Sequence, residues 1–251
     1  MYMKVLIPAA GYGTRILSFF GDIPKTFITF KDKPILEYIL LKVMDLPEID
    51  EVVIITNAKF YDFFLKWKNQ AKFPFKITLI NDGTSHSDER LGTIGDIQFA
   101  IEKLNIKEDI LVINSDNLFS FNIGLMKKNF EEKKSPVISL YDVKEVSIAK
   151  LMGNVSLNDN NKIVYFKEKD PNTTSTLCSV GIYIFPKEVV GLFGEYLKNG
   201  NSADRSGDFV EWLYKKTDVY GFVFDSEKDY WFDIGSKELY DLAKNYLFNK
   251  I

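Results

Sequence analysis

Short apolar runs alternate with longer amphipathic stretches through the first half of the chain. Residues 4–8 (KVLIP), 51–56 (EVVIIT), 75–80 (FKITLI) and 110–114 (ILVIN) are β-branched and predict short buried strands. Between them, residues 33–46, 59–70 and 93–104 carry apolar side chains at helical spacing and predict amphipathic helices, with Pro34 suited to a first helical turn. This alternation predicts an α/β fold: a doubly wound, mostly parallel, Rossmann-like sheet with helices on both faces. Ligands of such sheets lie at the carboxyl ends of the strands.

From about residue 134 the pattern changes. Residues 134–143, 153–170 and 179–186 predict strands, with an Asn/Asp-rich turn at 158–161. Residues 206–216 and 236–248 predict helices. No linker or repeat separates the halves, so one domain over residues 1–251 is expected, with a change of character near 133/134 and a small β lobe in the second half.

Composition narrows the class of function. Hydrophobic residues make up 46% of the 251, enough for a full core, and the net charge of −3 does not suit a general nucleic-acid binder. An anionic ligand would therefore need a local cluster of cations. A single cysteine, Cys178, cannot form an internal disulfide and fits a reducing compartment. No apolar stretch approaches membrane-spanning length, and the first apolar segment is too short for a signal peptide, so a cytoplasmic protein without a membrane partner is expected.

The candidate chemistry begins where the first strand ends, at "IPAAGYGTRILSFFGDIPKTF" (7–27). Ile16 stands where a dinucleotide fingerprint would need its third glycine, and the Lys-Ser/Thr pair of a P-loop is missing. A phosphate cradle and a plain turn remain. In a cradle, the backbone of Ala9, Ala10, Gly11, Gly13 and Thr14 would approach phosphates that Arg15 and Lys25 neutralise.

Six segments in order resemble the sugar-phosphate nucleotidyltransferases, or nucleoside-diphosphate-sugar pyrophosphorylases. They are "AAGYGTR" with Pro24-Lys25 and "DKPILEYIL", then "RLGTIGDI" (90–97), "INSDNLF" (113–119), "VYFKEKDP" (164–171), "SVGIYIF" (179–185) and "YWFDIGSKELYDLAKNYL" (230–247). The resemblance spans about residues 3–247 and implies a nucleotide-binding first half and an acceptor-binding second half. It implies transfer of a nucleotidyl group from a nucleoside triphosphate to a sugar 1-phosphate, with release of pyrophosphate. It also implies Mg²⁺ held by Asp116 and Asp233, Arg15 on the triphosphate, and Lys25 near the α-phosphate, so that Arg15, Lys25 and Asp116 are the expected catalytic residues. Gly92 is implied beside the base. Lys169 is implied on the acceptor's phosphate, Glu168 on its hydroxyls and Gly181 next to it. The implied partners are a nucleoside triphosphate and a small phosphomonoester, with no nucleic acid; a homo-oligomer is compatible with the pattern.

The chain departs from the family in three places. "EKDP" interposes Asp170 in the family's Glu-Lys-Pro, Ser18 and Phe20 replace a common Pro and Thr, and "NDGTSHSDER" (81–90) lengthens the loop before Gly92. That loop is expected to contribute to choosing the base and to order on nucleotide binding. His86, the one histidine, is expected to be solvated. The departures leave open a cytidylyltransferase acting on a non-sugar phosphomonoester such as phosphocholine or a phosphorylated amino acid, and a non-catalytic nucleotide-binding module. A glycosyltransferase that keeps the same fold would prefer Asp-x-Asp, whereas Asn117 and Leu118 follow Asp116.

Overall fold

The computed structural model describes residues 3–14 and 16–249. Its first-half strands are β1 (Met3–Pro8), the two-residue pair β2 (Thr29–Phe30) and β3 (Lys33–Pro34), β4 (Glu51–Thr56), β5 (Lys76–Asn81), β6 (Asp109–Ile113) and β7 (Asn117–Phe119). The second half supplies β8 (Val137–Asp142), β9 (Gly153–Leu157), β10 (Ile163–Glu168), β11 (Leu177–Phe185), β12 (Tyr220–Val223) and β13 (Trp231–Asp233). Nine of these form one sheet in the order β10-β9-β11-β6-β1-β4-β5, with β8 and β12 joined alongside β11. The core β6-β1-β4-β5 is parallel, and β11 extends it antiparallel beside β6.

Both faces of this core are covered, which is why its strands read as nearly continuous apolar runs. Val5 and Ile7 of β1 enter one hydrophobic cluster with the buried stripe Ile35, Leu36, Ile39, Leu40 and Val43 of helix Ile35–Val43. Leu6, between them, enters the opposite cluster with Ile94, Ile97 and Ala100 of helix Gly92–Leu104. One α/β unit thus alternates its side chains between two cores, as a period-2 strand must. Pro34 is not in the first helical turn as expected. It is the extended residue (φ −69°, ψ 156°) just before it, where it caps β3.

The sheet runs through both halves of the chain. The second-half strand β11 pairs with β6, β8 and β9, and its register shifts between Ser179 and Tyr183. Gly181 lies in that irregularity with φ +77°, and a Cβ there would sit 2.5 Å from Asn117 Nδ2. Away from the sheet, β7 and β13 pair antiparallel, with Asp233 opposite Asn117. No described helix is long and apolar enough to cross a membrane.

Candidate active site

The parallel strands end in loops that border one cleft of about 1230 Å³. After β1, the loop 9–14 is pinned from behind: Ala9 N–H donates to the Ile55 carbonyl (2.7 Å), and the buried Asn57 side chain donates to the Ala10 carbonyl (2.7 Å). Asn57 also accepts from Phe60 N–H (3.0 Å), so its amide is fixed at both ends. Ala9, Ala10, Gly11, Gly13 and Thr14 all line the cleft. Arg15 lies outside the described residues.

Lys25 opens the short 3-10 turn Lys25–Phe27 and points across to the end of β6. Its Nζ is 2.6 Å from Asp116 Oδ2 and 3.6 Å from Asp233 Oδ1. Burial opposes the ammonium charge, but the pull of both carboxylates outweighs it and raises the lysine pKa above its ordinary value. Asp116 and Asp233, far apart in sequence, meet because β7 and β13 pair and because Ile234 N–H donates to the Asp116 carbonyl (2.9 Å). Among the described residues no group of three or more His, Cys, Asp or Glu gathers in metal-binding fashion. Two carboxylates alone leave most of a coordination sphere to phosphate oxygens and water, and that donor set fits Mg²⁺.

The opposite wall belongs to the second half. Glu168 ends β10; its side chain is mostly buried, and burial raises its pKa against the opposing pull of Arg205, whose Nη1 stands 3.7 Å away. Gly207 makes room for it, since a Cβ there would lie 2.0 Å from Glu168 Oε2. Lys169 follows with φ +54°, its N–H donating to the Met152 carbonyl (2.9 Å), and it lines the cleft with Glu168 and Gly181.

Gly92 also lines the cleft, but what forbids a side chain there is protein backbone. Its φ is +79°, and a Cβ would lie 2.5 Å from the Ala203 carbonyl oxygen. The same segment accepts from Thr93 N–H through Asp204 (3.3 Å) and from Ile94 N–H through Ala203 (2.9 Å), so these N–H groups at the helix start are already used.

The loop 82–91 is held by its own hydrogen bonds. Thr84 N–H and Oγ1 donate to Asp82 Oδ1 (2.8 and 2.9 Å), Tyr12 Oη donates to Thr84 Oγ1 (3.0 Å), and Glu89 accepts from Ser85 N–H (2.9 Å). His86 is exposed, as expected. Sequence reasoning missed Arg205, Gly207 and the buried Asp96. For Asp96 a signal existed: an acid among the buried Ile94, Ile97, Ala100 and Ile101 of one helix. Burial, reinforced by Asp82, pushes its pKa up to about 8.

A parallel α/β sheet with a loop-walled cleft and a lysine between two carboxylates defines a protein suited to bringing anionic groups together. The family model described as "Nucleotidyl transferase" matches residues 4–248, and the chain belongs to that family. It is 28% identical over 238 residues to D-glycero-alpha-D-manno-heptose 1-phosphate guanylyltransferase of Campylobacter jejuni, covering 95% of this chain and 97% of that one. It is 30% identical over 250 residues to the bifunctional protein GlmU of Methanocaldococcus jannaschii, covering 99% of this chain but only 55% of the relative, about half its length. The fold is that of a UDP-glucose pyrophosphorylase solved with UDP-glucose, at a TM-score of 0.82, 21% identity and full coverage of both chains.

Proposed function

We propose that this chain joins a nucleoside triphosphate to a sugar 1-phosphate, giving a nucleoside-diphosphate sugar and pyrophosphate. The observation that carries the reading is the convergence of Lys25, Asp116 and Asp233 between the β1 loop and the Glu168–Lys169 wall. The heptose 1-phosphate guanylyltransferase, matched over nearly its whole length, supports the sugar phosphate as acceptor.

The reaction needs little proton chemistry. A phosphomonoester's second pKa is about 6, so the acceptor is largely dianionic at neutral pH and attacks unaided. Its oxygen forms a bond to the α-phosphorus while the bond to the bridging oxygen of the β-phosphate breaks, and pyrophosphate leaves. What must be supplied is alignment and positive charge. Lys169 holds the acceptor's phosphate and Glu168 its hydroxyls, with Gly181 leaving room for the Asn114 and Asn117 side chains beside that wall. The backbone at 9–14 and Arg15 hold the triphosphate, and Lys25 meets the α-phosphate. Asp116 and Asp233 would hold Mg²⁺, whose charge stabilises the phosphoryl oxygens.

Pyrophosphate release from a matrix of nucleoside triphosphates and phosphomonoesters tests this directly. Turnover is expected only with Mg²⁺ or a similar cation, and with sugar 1-phosphates over phosphocholine. Release that ignores the acceptor, or persists in EDTA, would overturn it.

A further inference from the structure

The loop 9–14 is held by more than the bonds at Ala9 and Ala10. Tyr12 stands between Gly11 and Gly13 and is anchored through its side chain, whose Oη donates to Thr84 Oγ1 (3.0 Å). Thr84 Oγ1 donates onward to Asp82 Oδ1 (2.9 Å), which also accepts from Thr84 N–H (2.8 Å). Asp82 is in turn hydrogen-bonded to the side chain of Asp96 on helix Gly92–Leu104. Loop 9–14, loop 82–91 and that helix are thus joined by one line of side chains. Tyr12, Thr84 and Asp96 in it are buried, and Asp82 is half-buried.

The protons of this line have a direction. Tyr12 gives its proton to Thr84 and Thr84 gives its own to Asp82, so Asp82 is the acceptor at the centre. Two carboxyl groups in contact do not both ionise, and one of them keeps a proton. Asp96 is the more deeply buried of the two; burial and the Asp82 charge push its pKa up to about 8. Its O–H therefore donates to Asp82 at neutral pH, and the one charge of the line is held by donors from both sides. Bonds to a charged acceptor are roughly twice as strong as neutral ones. The acid is kept on a helix whose other buried positions include Ile94, Ile97, Ala100 and Ile101, where an apolar residue would avoid the cost of burying a carboxyl.

We propose that Asp96 is a positioning residue for the triphosphate: as a proton donor it holds Asp82, and through Thr84 and Tyr12 it fixes the shape of the loop that meets the phosphates. This rests on the nucleotidyltransferase reading of the cleft. Asp96 itself touches no ligand. A loop with a glycine on each side of Tyr12, one of them at φ +59°, has little stiffness of its own. Left loose, it would have to be ordered by the ligand, and that entropy would be subtracted from affinity. Anchoring Tyr12 beforehand removes that cost, which is preorganisation in the ordinary sense.

Equilibrium binding to the full chain, measured by calorimetry with Mg²⁺ and no acceptor, separates this proposal from the reaction it rests on. The probe is whichever of ATP, GTP, CTP, UTP and dTTP the unmodified chain binds most tightly. Asp96→Asn keeps an N–H donor toward Asp82 and is expected to bind the probe within about twofold of the parent. Asp96→Leu has no donor and is expected to bind about tenfold more weakly, with Asp96→Ala in its place if the leucine variant does not fold. Tyr12→Phe cuts the line at its other end and is expected to show a similar loss. Combined with Asp96→Leu it is expected to lose less than the product of the two, because one line carries both effects. In steady state the triphosphate's KM rises in these variants while kcat and the acceptor's KM stay near the parent's. Equal weakening by Asp96→Asn and Asp96→Leu, parental binding in a folded Asp96→Leu chain, losses that multiply, or a matching rise in the acceptor's KM would overturn the positioning role alone. Binding of no triphosphate by the unmodified chain would overturn the proposed function with it.

Discussion

Lys25 and Lys169 are both cations on one cleft, and their surroundings assign them different work. Lys25 is 20% exposed and caught between two carboxylates, and under the proposed reaction it meets the α-phosphate. Lys169 sits on a left-handed backbone at the far wall. Lys25→Ala is expected to lower kcat by about 10²-fold, the scale of losing one group that stabilises charge in the transition state. Lys169→Ala is expected to raise KM for the acceptor while leaving the triphosphate's KM nearly unchanged. Steady-state kinetics with each substrate varied in turn decide the matter, and the opposite pattern would reverse the two walls. Asp96 has a signature of its own. Its pKa is about 8 in the folded chain, against about 3.9 when unfolded. Between those values the folded chain keeps a proton that the unfolded chain has released. Stability from this group is therefore fully present below about pH 4 and falls as pH rises toward 8, by at most about 1.4 kcal/mol per unit. Asp96→Asn, neutral throughout, is expected to gain stability relative to the parent as pH rises, which urea unfolding at about pH 5 and about pH 8 would show. The same difference at both would mean that the buried carboxyl is already ionised. Glu51 acts in the opposite sense: Lys4, Lys76 and Thr78 outweigh its burial and hold its pKa at about 2, so its contribution is lost as pH falls toward that value.

Among elements, the parallel strands were legible because both faces of each are buried, which leaves a continuous β-branched run. EVVIIT is β4 to the residue, and the other three strands predicted in the first half, β1, β5 and β6, lie within about one residue of their predicted bounds. The β7–β13 pair was not legible. Each strand is three residues long, too short for a period, and their partnership is set by tertiary packing between segments far apart in the chain. Helix Ile123–Lys133 was missed because its buried stripe is only Ile123, Met126 and Phe130 on a lysine-rich background, although Asn122 caps it through Gly124 N–H (2.7 Å). The glycines of the site divide in the same way. Gly92 was singled out by motif, whereas Gly207 was hidden because its role depends on a carboxylate from another element. Their substitutions separate too. In Gly92→Ala the new Cβ meets fixed backbone at positive φ, and a loss of about 2 kcal/mol or more is expected. In Gly207→Ala the Cβ meets the movable end of Glu168, so acceptor KM is expected to rise with little change in Tm. Thermal melts and acceptor kinetics on both variants would show this; a Gly207→Ala chain with normal acceptor KM would remove Glu168 from that wall.

Across the whole molecule, β11 is the strand that makes two halves into one sheet. It is bonded to β6 on the first-half side and to β8 and β9 on the second, so neither half can melt without stripping partners from the other. A single unfolding transition is expected, with far-UV dichroism and the fluorescence of Trp67, Trp212 and Trp231 changing together. Two separated transitions would divide the chain near residue 133. The seam at Gly92 has a different consequence. The Ala203 and Asp204 carbonyls that receive the N–H groups of Thr93 and Ile94 belong to the segment leading into Arg205 and Gly207, which surround Glu168. One stretch of backbone therefore meets the start of helix Gly92–Leu104 with its carbonyls and Glu168 with Arg205 and Gly207. Under the proposed reaction a nucleotide at Gly92 and an acceptor at Glu168 would both bear on that stretch, and thermodynamic linkage makes the influence of either on the other equal in both directions. The tightness of the base pocket and the choice of acceptor would then be one coupled property, inherited and altered together.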